Sequence, residues 1–178
     1  YLLDRRCLIM NATQQPTLSG DYYPFLERAK ETLDIKVKSP WPGQVKRQQE
    51  LKDRYGSEHI LVRKAREGVA CRLICLESES YRDFFRKAND VMAESPHFEE
   101  AQKMIAEFQK AGGQVRRISG ALNPEVSFVV ADRAIALVFV AAWIEATPRG
   151  FCYEPFPTTD PKLIDFLSNA FDLCWKTI

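Results

Sequence analysis

The hydrophobic period of this chain switches repeatedly between about 3.6 and 2 residues, and the order of the switches limits the fold more tightly than any other feature. Tyr22, Phe25, Leu26, Ala29 and Leu33 recur at helical spacing behind Asp21, a residue suited to capping a helix N-terminus. Leu33-Asp34-Ile35-Lys36-Val37-Lys38 then alternates, which predicts a strand with one face buried, stopped by Ser39-Pro40-Trp41-Pro42-Gly43. Helical spacing returns from Gln44 to Glu67, divided near Gly56 and closed by Gly68, the residue type expected for a left-handed cap. Val69 to Leu76 reads as a second strand leading into the acidic run Glu77-Ser78-Glu79. Ser80 caps a helix to about Met92. Another helix starts after Pro96, aims Phe98, Ala101, Met104, Ile105 and Phe108 at a core, and ends at Gly112-Gly113.

The second half is richer in strands. Val115 to Ile118 is one; Val126 to Ala131 and Ile135 to Ala142 are two more, joined through Asp132-Arg133 as a tight hairpin. A short extended piece, Phe151 to Tyr153, precedes a proline-rich loop, and Asp160-Pro161 opens a closing helix with Leu163, Ile164, Leu167, Phe171 and Trp175 on its apolar side. Before all of this, Cys7-Leu8-Ile9-Met10 forms an apolar run and Asn11 to Gly20 a polar loop, so residues 1–20 read as an N-terminal extension or strand. Early helix–strand alternation gives parallel strands through right-handed crossovers, and the late hairpin adds antiparallel ones. The expected architecture is α/β: a mixed β-sheet flanked by helices on both faces. At 178 residues the chain is expected to form a single domain spanning residues 1–178.

Charge excludes some functions. With 25 basic against 24 acidic residues and a net charge of +1, the chain lacks the electrostatic footprint of direct nucleic-acid binding. The runs Arg5-Arg6 and Arg116-Arg117 read as solvated faces. The longest apolar run, Ala134 to Ile144, falls well short of the roughly 18 residues that cross a bilayer, so no membrane partner is expected. Asp4, Arg5 and Arg6 interrupt any signal-peptide core, and Tyr1 in place of Met suggests an upstream module in a longer protein. Cys7, Cys71, Cys75, Cys152 and Cys174 contain no Cys-x2-Cys pair and sit among apolar neighbours, the pattern of buried free thiols rather than of zinc or disulfides. Reduced thiols without an export signal point to the cytoplasm.

Several phrases of this sequence resemble the phospholipase D-like family. The helix-to-strand phrase Phe25-Leu26-Glu27-Arg28-Ala29-Lys30-Glu31-Thr32-Leu33-Asp34-Ile35 is one. Ala65-Arg66-Glu67-Gly68-Val69-Ala70-Cys71-Arg72-Leu73 is similar to that family's helix, Gly-Val turn and second strand, and Ala111-Gly112-Gly113-Gln114-Val115-Arg116 to its next helix-to-strand turn. Val129-Val130-Ala131-Asp132-Arg133 resembles the hairpin that carries its catalytic motif, His-x-Lys-x4-Asp. The resemblance runs from Asp21 to the C-terminus and implies that family's sheet. With Asp132 at the motif's aspartate, the nucleophilic histidine is replaced by Glu125 and the phosphate-binding lysine by Ser127. A carboxylate repels a phosphodiester and a serine brings no positive charge to the transition state, so catalysis by this motif is not expected. His59 and His97, the only histidines, fall on or beside helical stretches and read as satisfied or surface groups. Family members without the catalytic pair, such as the sensor domains of TrmB-type regulators, imply ligand sensing or protein association in a regulatory protein.

Candidate site residues follow from the same placement. Ligands in mixed α/β sheets sit beyond the C-terminal ends of the parallel strands. That rule selects Trp41 after the first strand, as a flat apolar wall between two prolines, and Glu77 with Glu79 after the second, as ligands for hydroxyls or a cation. Glu125 and Ser127 share a strand face and form the floor of any pocket left from the active relatives, with Trp143 closing the same space. No cofactor is called for: the chain has no Gly-x-Gly-x-x-Gly, Walker, Gly-x-Ser-x-Gly or His-Glu-x-x-His signature. The expected partners are a small-molecule ligand and a second copy, in a homodimer built on aromatic residues along strand edges or the closing helix. The alternative is a phosphodiesterase or nuclease with a non-standard, metal-dependent site, for which Asp34, Glu77 and Glu79 would be the acidic residues.

Overall fold

Asp132 and Arg133 both adopt positive φ, 53° and 50°, a conformation that L-residues other than glycine rarely hold. They are the two central residues of the tight hairpin, closed by Ala134 N–H donating to Ala131 C=O at 3.0 Å, and a turn with both φ positive matches the right-handed twist of the strands it joins. The rest of the sheet assembles around this hairpin. The structure is a computed structural model that describes residues 22–37, 59–76, 97–118, 126–143 and 151–178. Within them the order is α1 (Tyr22–Glu27), β1 (Thr32–Lys36), α2 (Ile60–Arg66), β2 (Ala70–Leu76), α3 (His97–Lys110) and β3 (Gln114–Ile118). There follow β4 (Ser127–Ala131), β5 (Ile135–Trp143), β6 (Phe151–Thr158) and α4 (Pro161–Thr177).

The strands form one six-stranded sheet in the order β3-β2-β1-β4-β5-β6. β1, β2 and β3 run parallel; β4, β5 and β6 each run antiparallel to their neighbours. The expected mixed sheet is therefore present, and helices cover both of its faces. On the first face Leu33, Ile35, Cys71, Leu73, Cys75, Val129 and Leu137 meet Phe25, Leu26, Leu61, Ile105 and Phe108 of α1, α2 and α3. On the second, Ile74, Ile118, Phe128, Val130 and Ala136 meet Ile164, Leu167 and Phe171 of α4.

Local chemistry sets the boundaries. Gly68 has φ +91°, the left-handed cap anticipated for it, and lets the chain turn from α2 into β2. Gly113 is required for a different reason: a Cβ there would stand 2.4 Å from the Phe108 ring, so α3 can return to β3 only past a bare backbone. Asp160 caps α4, accepting from Lys162 N–H at 2.9 Å, with Pro161 at the first helical position where its missing N–H costs nothing.

Three expectations need correction. The first helix ends at Glu27 and does not continue toward Leu33, because the N–H groups of Lys30, Glu31 and Thr32 bond to the Asp132 carboxylate at 2.8 to 3.2 Å instead of to helical carbonyls. The last strand does not stop at Tyr153 but runs through Pro155 and Pro157 to Thr158. Among the described strands it is an edge strand; prolines two residues apart place their missing N–H groups on the same side, away from β5. Leu163, expected on the buried side of the closing helix, is instead 39% exposed, since Ile164, Leu167 and Phe171 take the core-facing line. The helices expected from Ser80 to Met92 and before Gly56 lie outside the described residues.

Candidate functional site

β4 runs antiparallel to β1, with Phe128 opposite Lys36, so the start of β4 lies at the C-terminal ends of the parallel strands. That is where a mixed α/β sheet presents its ligands. Ser127 is the first residue of β4 and is buried, 7% exposed, opposite Phe139 of β5. β5 continues four residues past that pair to Trp143, opposite Phe151, and so extends the sheet at the same end. Ser127 and Trp143 thus lie at one end of the sheet. Trp41, Glu77, Glu79 and Glu125 lie outside the described residues.

Side-chain alternation assigns Ser127 to the face of Val129 and Ala131, beneath α1 to α3. Lys36, at the end of β1, leaves the sheet on the opposite face. It is only 5% exposed, and its Nζ donates to Val126 C=O at 2.7 Å and lies 5.5 Å from the centre of the Phe128 ring. Ser127 and Lys36 are therefore separated by the thickness of the sheet.

Behind Lys36 on the second face runs a chain of charges that the sequence reading missed. Asp34, 2% exposed, accepts two hydrogen bonds from Arg72, at 2.7 and 2.8 Å, across the β1–β2 pair. Arg72 also donates to Asp172 of α4 at 2.8 Å, and Asp172 accepts from Arg133 of the hairpin at 2.7 Å. The Arg72 guanidinium lies over both the Phe171 and Trp175 rings, at 4.9 and 5.6 Å, which are themselves stacked. Hydrogen bonding to Asp34 raises the Arg72 pKa further above its ordinary value. Partial burial alone would raise the Asp172 carboxyl, but hydrogen bonds from Arg72 and Arg133 outweigh it and hold the group below its usual range. The alternation in β1 had predicted one buried face; the second is buried as well because α4 covers it, and the paired charges make that cover tolerable. Arg116, expected to be solvated, is half-buried and donates to the Trp175 carbonyl while stacking on its ring at 5.0 Å.

Asp132 serves the backbone. Burial would raise its carboxyl, but the N–H groups of Thr32, Glu31 and Lys30 outweigh that and hold it below the ordinary carboxylate range. His59 is a satisfied histidine: its Nδ1 accepts from Leu61 N–H at 3.3 Å and caps α2, and burial pushes its pKa down to about 4. Cys71 and Cys75 are buried in the first-face core, where desolvation pushes both thiols up to about 12, the state of an inert packing residue. Among the described residues no group of three His, Cys, Asp or Glu side chains is placed to hold a metal ion, and no helix is long and apolar enough to cross a membrane.

No family model matches the sequence, and no curated protein is significantly similar to it. The fold does have counterparts among solved structures. One is Nuc from Salmonella typhimurium, a phospholipase D family member, with a TM-score of 0.55 at 12% identity over 86% of this chain and 84% of that one. The fold is phospholipase D-like. A second counterpart with this fold is TrmBL2, an archaeal chromatin protein described as showing a novel mode of DNA binding, with a TM-score of 0.51 at 10% identity. That match covers 87% of this chain and 47% of TrmBL2, so the present chain spans about half the length of that relative. Identities this low establish the phospholipase D-like architecture and no more.

Proposed function

We propose that this chain is a single phospholipase D-like domain that does not hydrolyse phosphodiesters and serves ligand sensing or protein association within a regulatory protein. The observation that carries the reading is Ser127. On the alignment that sets Asp132 at the motif's aspartate, the strand position of the phosphate-binding lysine holds a small, buried, uncharged hydroxyl. Buried Lys36, on the strand paired with β4, projects from the other face and is held by Val126 C=O and the Phe128 ring, so it is no substitute. Transition-state charge on a phosphoryl group needs a cation within contact distance, and its loss removes several kcal/mol of stabilisation, by the order of magnitude found for single electrostatic donors. A regulatory context is supported by the likeness to TrmBL2, a DNA-binding chromatin protein of about twice this length, which leaves room for a DNA-contacting module outside the compared region. The ligand surface in this reading is the end of the sheet bearing Ser127 and Trp143, with Glu125, Trp41 and Glu77 contributed by the adjoining segments.

The test is paired. Incubation with bis(p-nitrophenyl) phosphate and with single- and double-stranded DNA, with and without magnesium, manganese or zinc, is expected to give no turnover above buffer. A thermal-shift screen of small metabolites on the same preparation is expected to return a stabilising compound whose effect is lost on Ser127→Trp. Hydrolysis that disappears on Glu125→Ala or Glu77→Ala would overturn the reading in favour of a metal-dependent phosphodiesterase.

A further inference from the structure

We draw no further inference here: the strongest candidate, the outer face of the closing helix α4 with Phe166 and Leu173 each 67% exposed, is an apolar surface patch for which nothing among the described residues shows what covers it.

Discussion

The two faces of the sheet are built differently although the same strands supply both. On β2, neighbours Arg72 and Leu73 point in opposite directions: Leu73 enters a layer of aliphatic and aromatic side chains under α1 to α3, while Arg72 enters a layer threaded by Asp34, Asp172 and Arg133 under α4. The first face is held by burial, which is non-directional and tolerates small shifts. The second is held in addition by hydrogen bonds of fixed geometry, which specify the angle and register at which α4 lies. On the first face α1 leads into β1 while α2 and α3 each lie between parallel strands, so all three are positioned by their connections; α4 follows the last strand alone, and its charges supply the register that connectivity does not.

Four experiments would break or sharpen that contrast. The largest effects belong to the adjacent pair. Leu73→Ala should cost about 3 kcal/mol by leaving a cavity, and Arg72→Met about the same by stranding buried Asp34 without its partner, both read from urea midpoints. Replacing both Asp34 and Arg72, as Asp34→Leu with Arg72→Met, should recover much of the second loss; no second substitution of that kind can repair the first. Next is His59, beside the first face. Its folded pKa of about 4 lies below the ordinary 6.5, so it contributes no penalty above 6.5, and stability falls as pH drops from there to about 4 while the unfolded chain alone takes up a proton. The loss approaches about 3 kcal/mol at most, and His59→Asn, which keeps an N-capping side chain, should flatten that part of the stability profile. Asp172→Asn should cost about 1 kcal/mol at neutral pH, the scale of a partly exposed charged hydrogen bond. Because the folded carboxyl is depressed, the difference from wild type should be full above the ordinary value of 3.8 and vanish as pH falls through the folded value. Smallest is Ser168, whose buried Oγ has no hydrogen-bond partner among the described residues; Ser168→Ala should stabilise by about 1 kcal/mol or less, seen as a raised thermal midpoint.

Much of the architecture could be read from spacing alone. The switches of period marked the described strands and α3 and α4, and Asp160-Pro161 and Gly68 marked their boundaries, because caps and left-handed turns are chemistry local to a few residues. What spacing could not give was the second cover. Alternating Leu33-Asp34-Ile35-Lys36 has the same pattern whether Asp34 and Lys36 face water or a helix distant in sequence, and the difference lies in α4 and its Asp172. The prolines of β6 misled for a related reason: they disfavour a strand only where both sides must be paired, and edge position is a property of the whole sheet. Of the candidate site, Ser127 was proposed from the motif spacing in the phospholipase D-like resemblance, and Trp143 from the end of an apolar run. Lys36 carried no such mark, since a lysine in an alternating strand is ordinarily solvated.

Pro155 and Pro157 also govern how copies of this protein can meet. Among the described strands, a border lacking the amide donors of residues 155 and 157 offers an incoming ribbon fewer rungs, which disfavours endless stacking along that margin. Assembly is thereby steered away from strand addition there and toward contacts made by side chains, where the stoichiometry is finite and the process can be reversed.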